Sequence, residues 1–548
     1  MSKKKKVNEQ SFQEKPSTSS YWPWLIVFTV IILIAFIRIR LLDVPLERDE
    51  GEYAYAGQLI LQGILPYAEV YNEKMPGISA AYALILFVFG QTHIGIHLGL
   101  LLINISTIIL IFLLGKRLFD PLTGVVAGAS FAVLSLSQSV QGVFANAEHF
   151  VILPAVGGIL LLLRAIDDNR MKPLFLSGLL LGLAFMMKQN GAFFIAFSGI
   201  YLLYNQLSRR PIDRSDCVIK FILFSAGVMI PFGLICLVFL FAGIFDKFWF
   251  WTFVYARKYA FIASLHKGLF YFKLRILNIF SSSFPIWVLA GIGLTSIMWN
   301  KRFRSFRFFV VTFLIFSFIS ICPVLYFRPH YFVLLLPAIA LLAGVGISST
   351  LGLFSEIKSL TLKRGILILL VVIPLTFSIY KERKFLFQMN PNEASRSTYG
   401  LNPFPESLMI AEYIKKNTSR NDRIAVIGSE PQIYFYSRRR SATGYIYIYP
   451  LMQPHKYALK MQQEMIQEIE SVSPEILVFA SISTSWNLSR KSKRLIFTWF
   501  EQYVQKYYEK VGVVDILSKE KTVYKWDDAA LTYSPLSKSN LFIFKRKK

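Results

Sequence analysis

Between the first long apolar run and the next lies a polar stretch whose residue types could do acid–base and phosphate chemistry. It opens with Arg48-Asp49-Glu50-Gly51-Glu52-Tyr53 and ends with Tyr71-Asn72-Glu73-Lys74-Met75-Pro76. Three carboxylates fall within four residues, and a lysine closes the stretch. Ionisable groups at a membrane boundary are costly, so their presence points to a use. A carboxylate can deprotonate a hydroxyl, and a fixed cation can steady an anionic leaving group as its charge develops. The same residues also fit a plain helix start, with Asp49 as cap and Glu50 and Glu52 in a first turn where the helix dipole favours anions. The rest of the chain has to decide.

The chain has 548 residues, 54% of them hydrophobic, and a mean hydropathy of +0.47. That is too apolar for a soluble protein of this size and indicates a multi-spanning membrane protein. Runs long enough to cross a bilayer recur from Trp22 to about Tyr380, and ordinary soluble sequence follows. The expected fold is mostly α: a polytopic membrane helical bundle of about eleven spans plus juxtamembrane helices. The expected organisation is a disordered cytoplasmic tail over residues 1–20, a membrane domain over 21–380 with its first outer loop at 41–93, and an extracytoplasmic α/β domain over 381–548. The first apolar run ends in Arg38-Ile39-Arg40 without a small-residue cleavage site, which reads as an uncleaved anchor. The net charge of +27 fits the positive-inside rule and anionic lipid head groups. Its cations lie in short blocks between spans rather than along one face, so no nucleic-acid partner is expected. Cys217, Cys236 and Cys322 lie in or beside apolar segments without metal-ligand spacing, so neither a disulfide nor a zinc cluster is expected.

Alternating the spans, with the first leading outward, puts most cationic blocks in the cytoplasm. Lys188, Arg257, Lys258 and Arg328 are the exceptions, and they share the outer face with the opening loop. Asn146, Glu148, His149 and His330 fall on that face too. The aromatics from Phe248 to Tyr259 suit sugar faces and prenyl chains, and equally an interfacial belt. Within the loop, a helix is expected from Asp49 to about Gln62, amphipathic and lying on the membrane surface, with Tyr53, Ala56, Gly57 and Ile60 on one side. A second short helix, about Met75 to Phe89, is too short to cross. The tail is expected to form helices over Ser407–Lys416 and Leu495–Tyr508, with strands at Arg423–Gly428, Glu475–Ala480, Val513–Leu517 and Leu541–Lys545. It has neither a dinucleotide-binding glycine motif nor a P-loop, and Gly428-Ser-Glu-Pro431 reads as a structural strand-end turn.

Sugar transfer from a lipid phosphate fits such a set of groups. An acceptor hydroxyl loses its proton to a carboxylate, and cations meet the departing phosphate. A retaining carboxylate pair needs its two groups about 5–5.5 Å apart. Consecutive Asp49 and Glu50 on a helix point about 100° apart, which favours one base and one helper.

The pattern Arg48-Asp-Glu-Gly-Glu-Tyr53, Gly63-x-x-Pro-Tyr67 and Glu73-Lys-Met-Pro76 resembles the first outer loop of the GT-C membrane glycosyltransferases. It is closest to the branch of the dolichyl-phosphate-mannose protein mannosyltransferases and lipid A aminoarabinose transferases. The resemblance extends through Lys116-Arg-Leu-Phe119, Asn146-Ala-Glu148, Lys188 and the Arg328–Pro337 segment. It implies a polyprenyl-phosphate-linked sugar donor, an inverting transfer to an extracytoplasmic acceptor, and a site on the outer face. It implies Asp49 as the catalytic carboxylate with Glu50 adjacent, and Lys74 on the donor phosphate. Lys188, Arg257, Lys258 and Arg328 are the other expected phosphate contacts. Tyr53, Tyr67, Glu148, Tyr259 and His330 are expected to touch substrate. One branch uses a divalent metal ion near the phosphate, whose ligands cannot be placed here. Met75 stands where the branch has a proline, and the second acidic motif reads Asn-x-Glu-His. Two other functions compete: a transporter or flippase of lipid-linked sugars, and a scaffold whose outer domain binds a surface partner.

Overall fold

A computed structural model describes residues 21–209, 211–260, 264–354 and 356–547, without the side chains of residues 259, 260 and 302. The expected tail over residues 1–20 lies outside the described residues. Nine helices open the chain: α1 (Trp22–Arg40), α2 (Arg48–Leu61), α3 (Gly77–Phe89), α4 (His93–Leu118), α5 (Pro121–Leu134), α6 (Ala147–Asp168), α7 (Met171–Met187), α8 (Ala192–Ser208) and α9 (Arg214–Phe241). Further on, Leu265–Ser282 and Phe284–Trp299 form a pair bent by 100°. Helices Arg307–Ser320, Leu336–Leu353 and Leu360–Lys381 follow. Every expected span thus coincides with a helix or with the bent pair. Among the described residues, six helices are long and apolar enough to cross a bilayer by themselves, and seven spans result if the bent pair counts as one. The protein is a multi-span membrane protein. Of the remaining expected spans, α5 has 14 residues and α7 has 17, because each ends early in a polar connection.

Small residues let the central helices meet backbone to backbone, as in other membrane bundles. A Cβ at Gly344 would lie 2.4 Å from Thr123 O, and one at Gly346 would lie 2.1 Å from Leu289 O. The connections sort to two ends. Arg117 pairs with Asp167, and Arg209 and Lys220 both donate to Asn169, so these cationic turns share one end. The segments 41–92, 135–146, 188–191 and 321–335 gather at the other end, with the C-terminal unit.

That unit holds one six-stranded sheet: β1 (Arg423–Ile427), β2 (Arg440–Ser441), β3 (Ile476–Ser481), β4 (Tyr508–Ile516), β5 (Thr522–Trp526) and β6 (Asn540–Arg546). Their order is β2-β1-β3-β6-β4-β5. β1 runs parallel to β2 and β3, while β6 is antiparallel to β3 and β4. The four expected strands are present. β2 is too short to give a periodic signal, and β5 is a half-buried edge strand that lacks a clean alternation. The expected tail helices are Glu406–Asn417 and Leu495–Tyr507.

α2 departs from expectation in two ways. Its cap is Glu47, not Asp49: Glu47 accepts from the Glu50 N–H and Glu50 accepts from the Glu47 N–H, a reciprocal capping box. Nor does the helix lie on the membrane surface, since every residue from Arg48 to Leu59 is buried. One side packs on α3, where Gly57 admits the Ala83 backbone, and another packs on helix Gln432–Ser437. Its polar face found protein partners instead of water: Gln58 donates to Phe435 O at 3.2 Å. A Cβ at Gly51 would stand 2.6 Å from Gln432 N and 2.7 Å from Gln432 Cβ. Gly51→Ala is therefore expected to force the C-terminal unit off α2 at a cost of about 1–3 kcal/mol. Thermal unfolding of the variant in detergent measures it.

Candidate active site

Lys74 is held in place from behind. Tyr67 sits at φ +67° after the Gly63–Pro66 turn, and its hydroxyl donates to Lys74 O. Its ring is wedged against Phe239 and Phe248. Gln189 donates to Glu73 O at 2.7 Å, so the turn after α7 grips the same strand of chain. The Lys74 ammonium then reaches α2, donating to Asp49 Oδ1 at 3.1 Å and to Glu52 Oε2 at 2.8 Å. It lies 4.5 Å from the centre of the Tyr53 ring, a cation–π contact. From the C-terminal unit, the Tyr447 hydroxyl donates to the same Asp49 oxygen at 3.2 Å.

These groups line a cavity of about 190 Å³. Asp49, Glu52, Glu73, Lys74, Lys188, Arg328 and His330 are its ionisable lining groups, and Tyr255, Tyr331, Tyr447 and Gln453 form part of its walls. Lys188 pairs with Glu148 and sits 4.3 Å from the Tyr331 ring centre. His330 Nδ1 meets Gln141 Oε1 at 2.9 Å, which ties the 135–146 connection to the cavity rim. Arg38, buried in α1, fixes that connection by donating to Ser135 O and Gly142 O.

The expected residues divide by position. Asp49, Lys74, Lys188, Arg328 and His330 line the cavity, and Tyr53 lies under the lysine. Glu148 is one step back, reaching the cavity through Lys188, and Tyr67 acts through the Lys74 backbone. The structure does not bring Glu50 to the cavity. Its carboxylate is fully buried and accepts from Glu47 N, Ala145 N and His97 Nε2. The neighbouring turn decides this, since Ala145 and His97 crowd the face of α2 on which Glu50 emerges. Glu52, expected only to support the helix start, takes the place beside Lys74. It lies three residues beyond Asp49, hence on the same helix face. Arg257 and Lys258 are exposed and do not line the cavity, because the chain turns there into the helical segment Ala256–Ala260 with both outward. The side chain of Tyr259 lies outside the described residues. Tyr447 and Gln453 escaped sequence reasoning. The alternating tyrosines at 445, 447 and 449 are their one visible signal.

Burial pushes the Asp49 carboxyl up, but Lys74 and Arg328 outweigh it and hold Asp49 well below the usual carboxylate range. Burial also pulls the Lys74 ammonium down, and Asp49 and Glu52 more than restore it, so Lys74 stays charged. Glu52 goes the other way. Burial, aided by Glu73 and Asp49, pushes it up to about 7 against the pull of Lys74. Its Oε1 makes no hydrogen bond among the described residues.

The folded Glu52 therefore binds its proton more tightly than an unfolded glutamate at about 4.3. Stability contributed by this group is present below that value and is lost as pH rises toward 7. Asp49 acts in the opposite sense and only in more acidic solution. The wild type is expected to lose on the order of 1–3 kcal/mol between pH 4.5 and 7 through this group. Glu52→Gln is expected to flatten that slope in pH-resolved thermal unfolding.

The residues present do not fit a divalent metal ion. Lys74 already stands between Asp49 and Glu52, and among the described residues no three His, Cys, Asp or Glu side chains converge. No step is routed through a metal here.

The whole architecture has known counterparts. ArnT from Cupriavidus metallidurans, bound to undecaprenyl phosphate, superposes with a TM-score of 0.55 at 16% identity, over 84% of this chain and 94% of that one. The apo form of ArnT gives 0.55 at 15% identity, with the same coverage. The archaeal oligosaccharyltransferase AglB from Archaeoglobus fulgidus, in complex with an inhibitory peptide and a dolichol-phosphate, gives 0.53 at 11% identity, over 94% and 76%. The chain shares the fold of these proteins. Residues 73–235 also match the family model for dolichyl-phosphate-mannose-protein mannosyltransferase. The matched segment contains Lys74, Glu148 and Lys188 and begins after Asp49, which it does not cover. No curated protein matches the sequence.

Proposed function

We propose that the chain is an integral membrane glycosyltransferase. It takes a sugar from a polyprenyl-phosphate-linked donor and places it, with inversion, on an acceptor hydroxyl at the extracytoplasmic face of the cell membrane. The observation that carries this reading is the contact of Asp49 with Lys74 in a cavity that also holds Arg328. An apolar groove of about 940 Å³ lies between α4, α6 and α7, and Met187 in its lining directly precedes Lys188 of the cavity. The groove runs from Ala81, Phe150 and Met187 at the cavity end to Lys116, Arg117 and Arg164 at the other. A prenyl chain fits there with its phosphate at Lys188, the residue after Met187.

In this reading the paired state is a resting state. Asp49 beside Lys74 is a weak base. A donor phosphate arriving at Lys74, Lys188 and Arg328 draws the ammonium away from the carboxylate, and Asp49 regains basicity when it is needed. The acceptor oxygen then attacks the anomeric carbon, its proton passes to Asp49, and the bond from that carbon to the phosphate oxygen breaks. The departing prenyl phosphate gains one negative charge, which the cations balance.

The cationic turns at the opposite end suit the cytoplasmic side under the positive-inside rule, which supports placing the cavity and the C-terminal unit outside. The same distribution speaks against a transporter, where charged groups line mid-depth between broken helices. The acceptor is a protein, lipid or glycan hydroxyl, and no nucleic acid takes part. The test is release of prenyl phosphate by the purified chain from a panel of polyprenyl-phosphate sugars. Release from at least one member is expected, and none from any member would overturn the reading.

A further inference from the structure

A second pocket, of about 490 Å³, opens between the segment after α9 and the C-terminal unit. Five aromatic side chains line it: Tyr71, Phe250, Trp251, Tyr445 and Tyr457. They are set in place rather than loosely gathered. Tyr71 and Trp251 stack at 5.8 Å with 14° between their planes, and Phe250 meets Tyr457 edge-on at 5.2 Å. Lys247 sits 4.9 Å from the centre of the Tyr71 ring.

Carboxylates complete the wall. Glu468 accepts from the Tyr71 hydroxyl at 3.1 Å, from Thr443 Oγ1 at 2.6 Å and from Gly444 N at 3.0 Å. Glu464 accepts from the Tyr445 hydroxyl. With Asp246 these make three acids against two lysines, Lys247 and Lys460. A pocket with excess negative charge, on a chain whose net charge is +27, is not built for phosphate or an acidic ligand. Flat rings beside fixed carboxylates present apolar faces for sugar C–H groups and acceptors for sugar hydroxyls.

Its position matters as much as its lining. Trp251 packs edge-on against Tyr255 at 5.2 Å, and Tyr255 is a wall of the catalytic cavity. The Tyr255 hydroxyl donates to Gln453 Oε1 at 2.8 Å. Gln453 Nε2, buried at the cavity wall, has no hydrogen-bond partner among the described residues. Two rings, Trp251 and Tyr255, separate the pockets.

We propose that this second pocket binds an uncharged pyranose unit of a carbohydrate acceptor whose reacting sugar sits in the Asp49 cavity. The proposal rests on the glycosyltransferase reading above and narrows its acceptor to a glycan.

The test uses the full chain in lipid nanodiscs, probed with an array of neutral oligosaccharides and the same glycans bearing uronic acids or phosphates. Neutral glycans are expected to bind. Tyr457→Ala and Glu464→Gln are each expected to weaken binding by at least about tenfold. Tyr457→Phe keeps the ring and is expected to bind within about threefold of wild type, which separates ring contact from misfolding. Cleavage of donor by water should be unchanged in all three variants. Failure of every neutral glycan to bind, binding confined to the charged glycans, or wild-type binding by the Tyr457→Ala and Glu464→Gln variants would each overturn the proposal. Prenyl phosphate release is measured on the same preparation. Release without glycan binding removes this pocket alone, whereas glycan binding without release removes the glycosyltransferase reading and leaves the pocket as a glycan site.

Discussion

Asp49→Asn is expected to lower the rate of sugar transfer by about 10²–10⁴-fold, the usual worth of a positioned general base. The fold should survive, because Asp49 is neither the helix cap nor a partner of the C-terminal backbone. An asparagine there still takes the Tyr447 hydrogen bond, and Lys74 keeps Glu52 as its counter-ion at 2.8 Å. Donor binding should change by only a few-fold, since Lys74, Lys188 and Arg328 remain. Measured as prenyl phosphate release, the loss belongs in kcat rather than KM. A variant turning over at the wild-type rate would show that Asp49 is not the base, and Glu52 would be the next carboxylate to test.

Removing the Glu430 carboxylate should have the largest effect on stability. Arg48, the first residue of α2, is buried and donates to Glu430 Oε1, Ser429 O, Asn402 Oδ1 and the Tyr449 hydroxyl. Each of those acceptors belongs to the chain beyond the membrane helices, so one guanidinium fastens α2 to that unit. Breaking a buried pair from one side strands the other charge, at about 3–5 kcal/mol. Glu430→Ala is expected to lower the melting temperature markedly. It should also weaken catalysis, because Tyr447 and Tyr449 line the cavity only while the unit is docked. Restoring size alone, with Glu430→Gln, keeps hydrogen bonds but not the charge, and should recover part of the loss. Equal melting temperatures for wild type and Glu430→Ala would show that the pair does not hold the docking.

The two predictions concern adjacent residues at the start of α2, Arg48 and Asp49, and the sequence treats them unequally. Asp49 and Lys74 are legible because their chemistry is local: an acid-rich helix start and a lysine closing the same loop, in a chain whose hydropathy already places both at a membrane boundary. The spans are legible for the same reason. Bilayer thickness and the clustering of cations are one-dimensional constraints that apolar runs record directly. The strands β1, β3, β4 and β6 also announce themselves through short apolar runs.

What the sequence could not decide is which face of α2 meets which neighbour. Asp49, Glu50 and Glu52 differ little as residue types. Glu50 is withdrawn from the cavity because Ala145 N and His97 Nε2, from two other segments, claim its carboxylate. Glu52 is brought in because Lys74 reaches back across the loop. Tyr447 lies 398 residues from the Asp49 it touches, and no local pattern encodes that approach. Composition and periodicity marked out the membrane bundle and its polar outer loop, with its acids and its lysine. Tertiary structure alone decided which carboxylate of the acidic run meets which partner, because each buried carboxylate must find a partner to offset its desolvation.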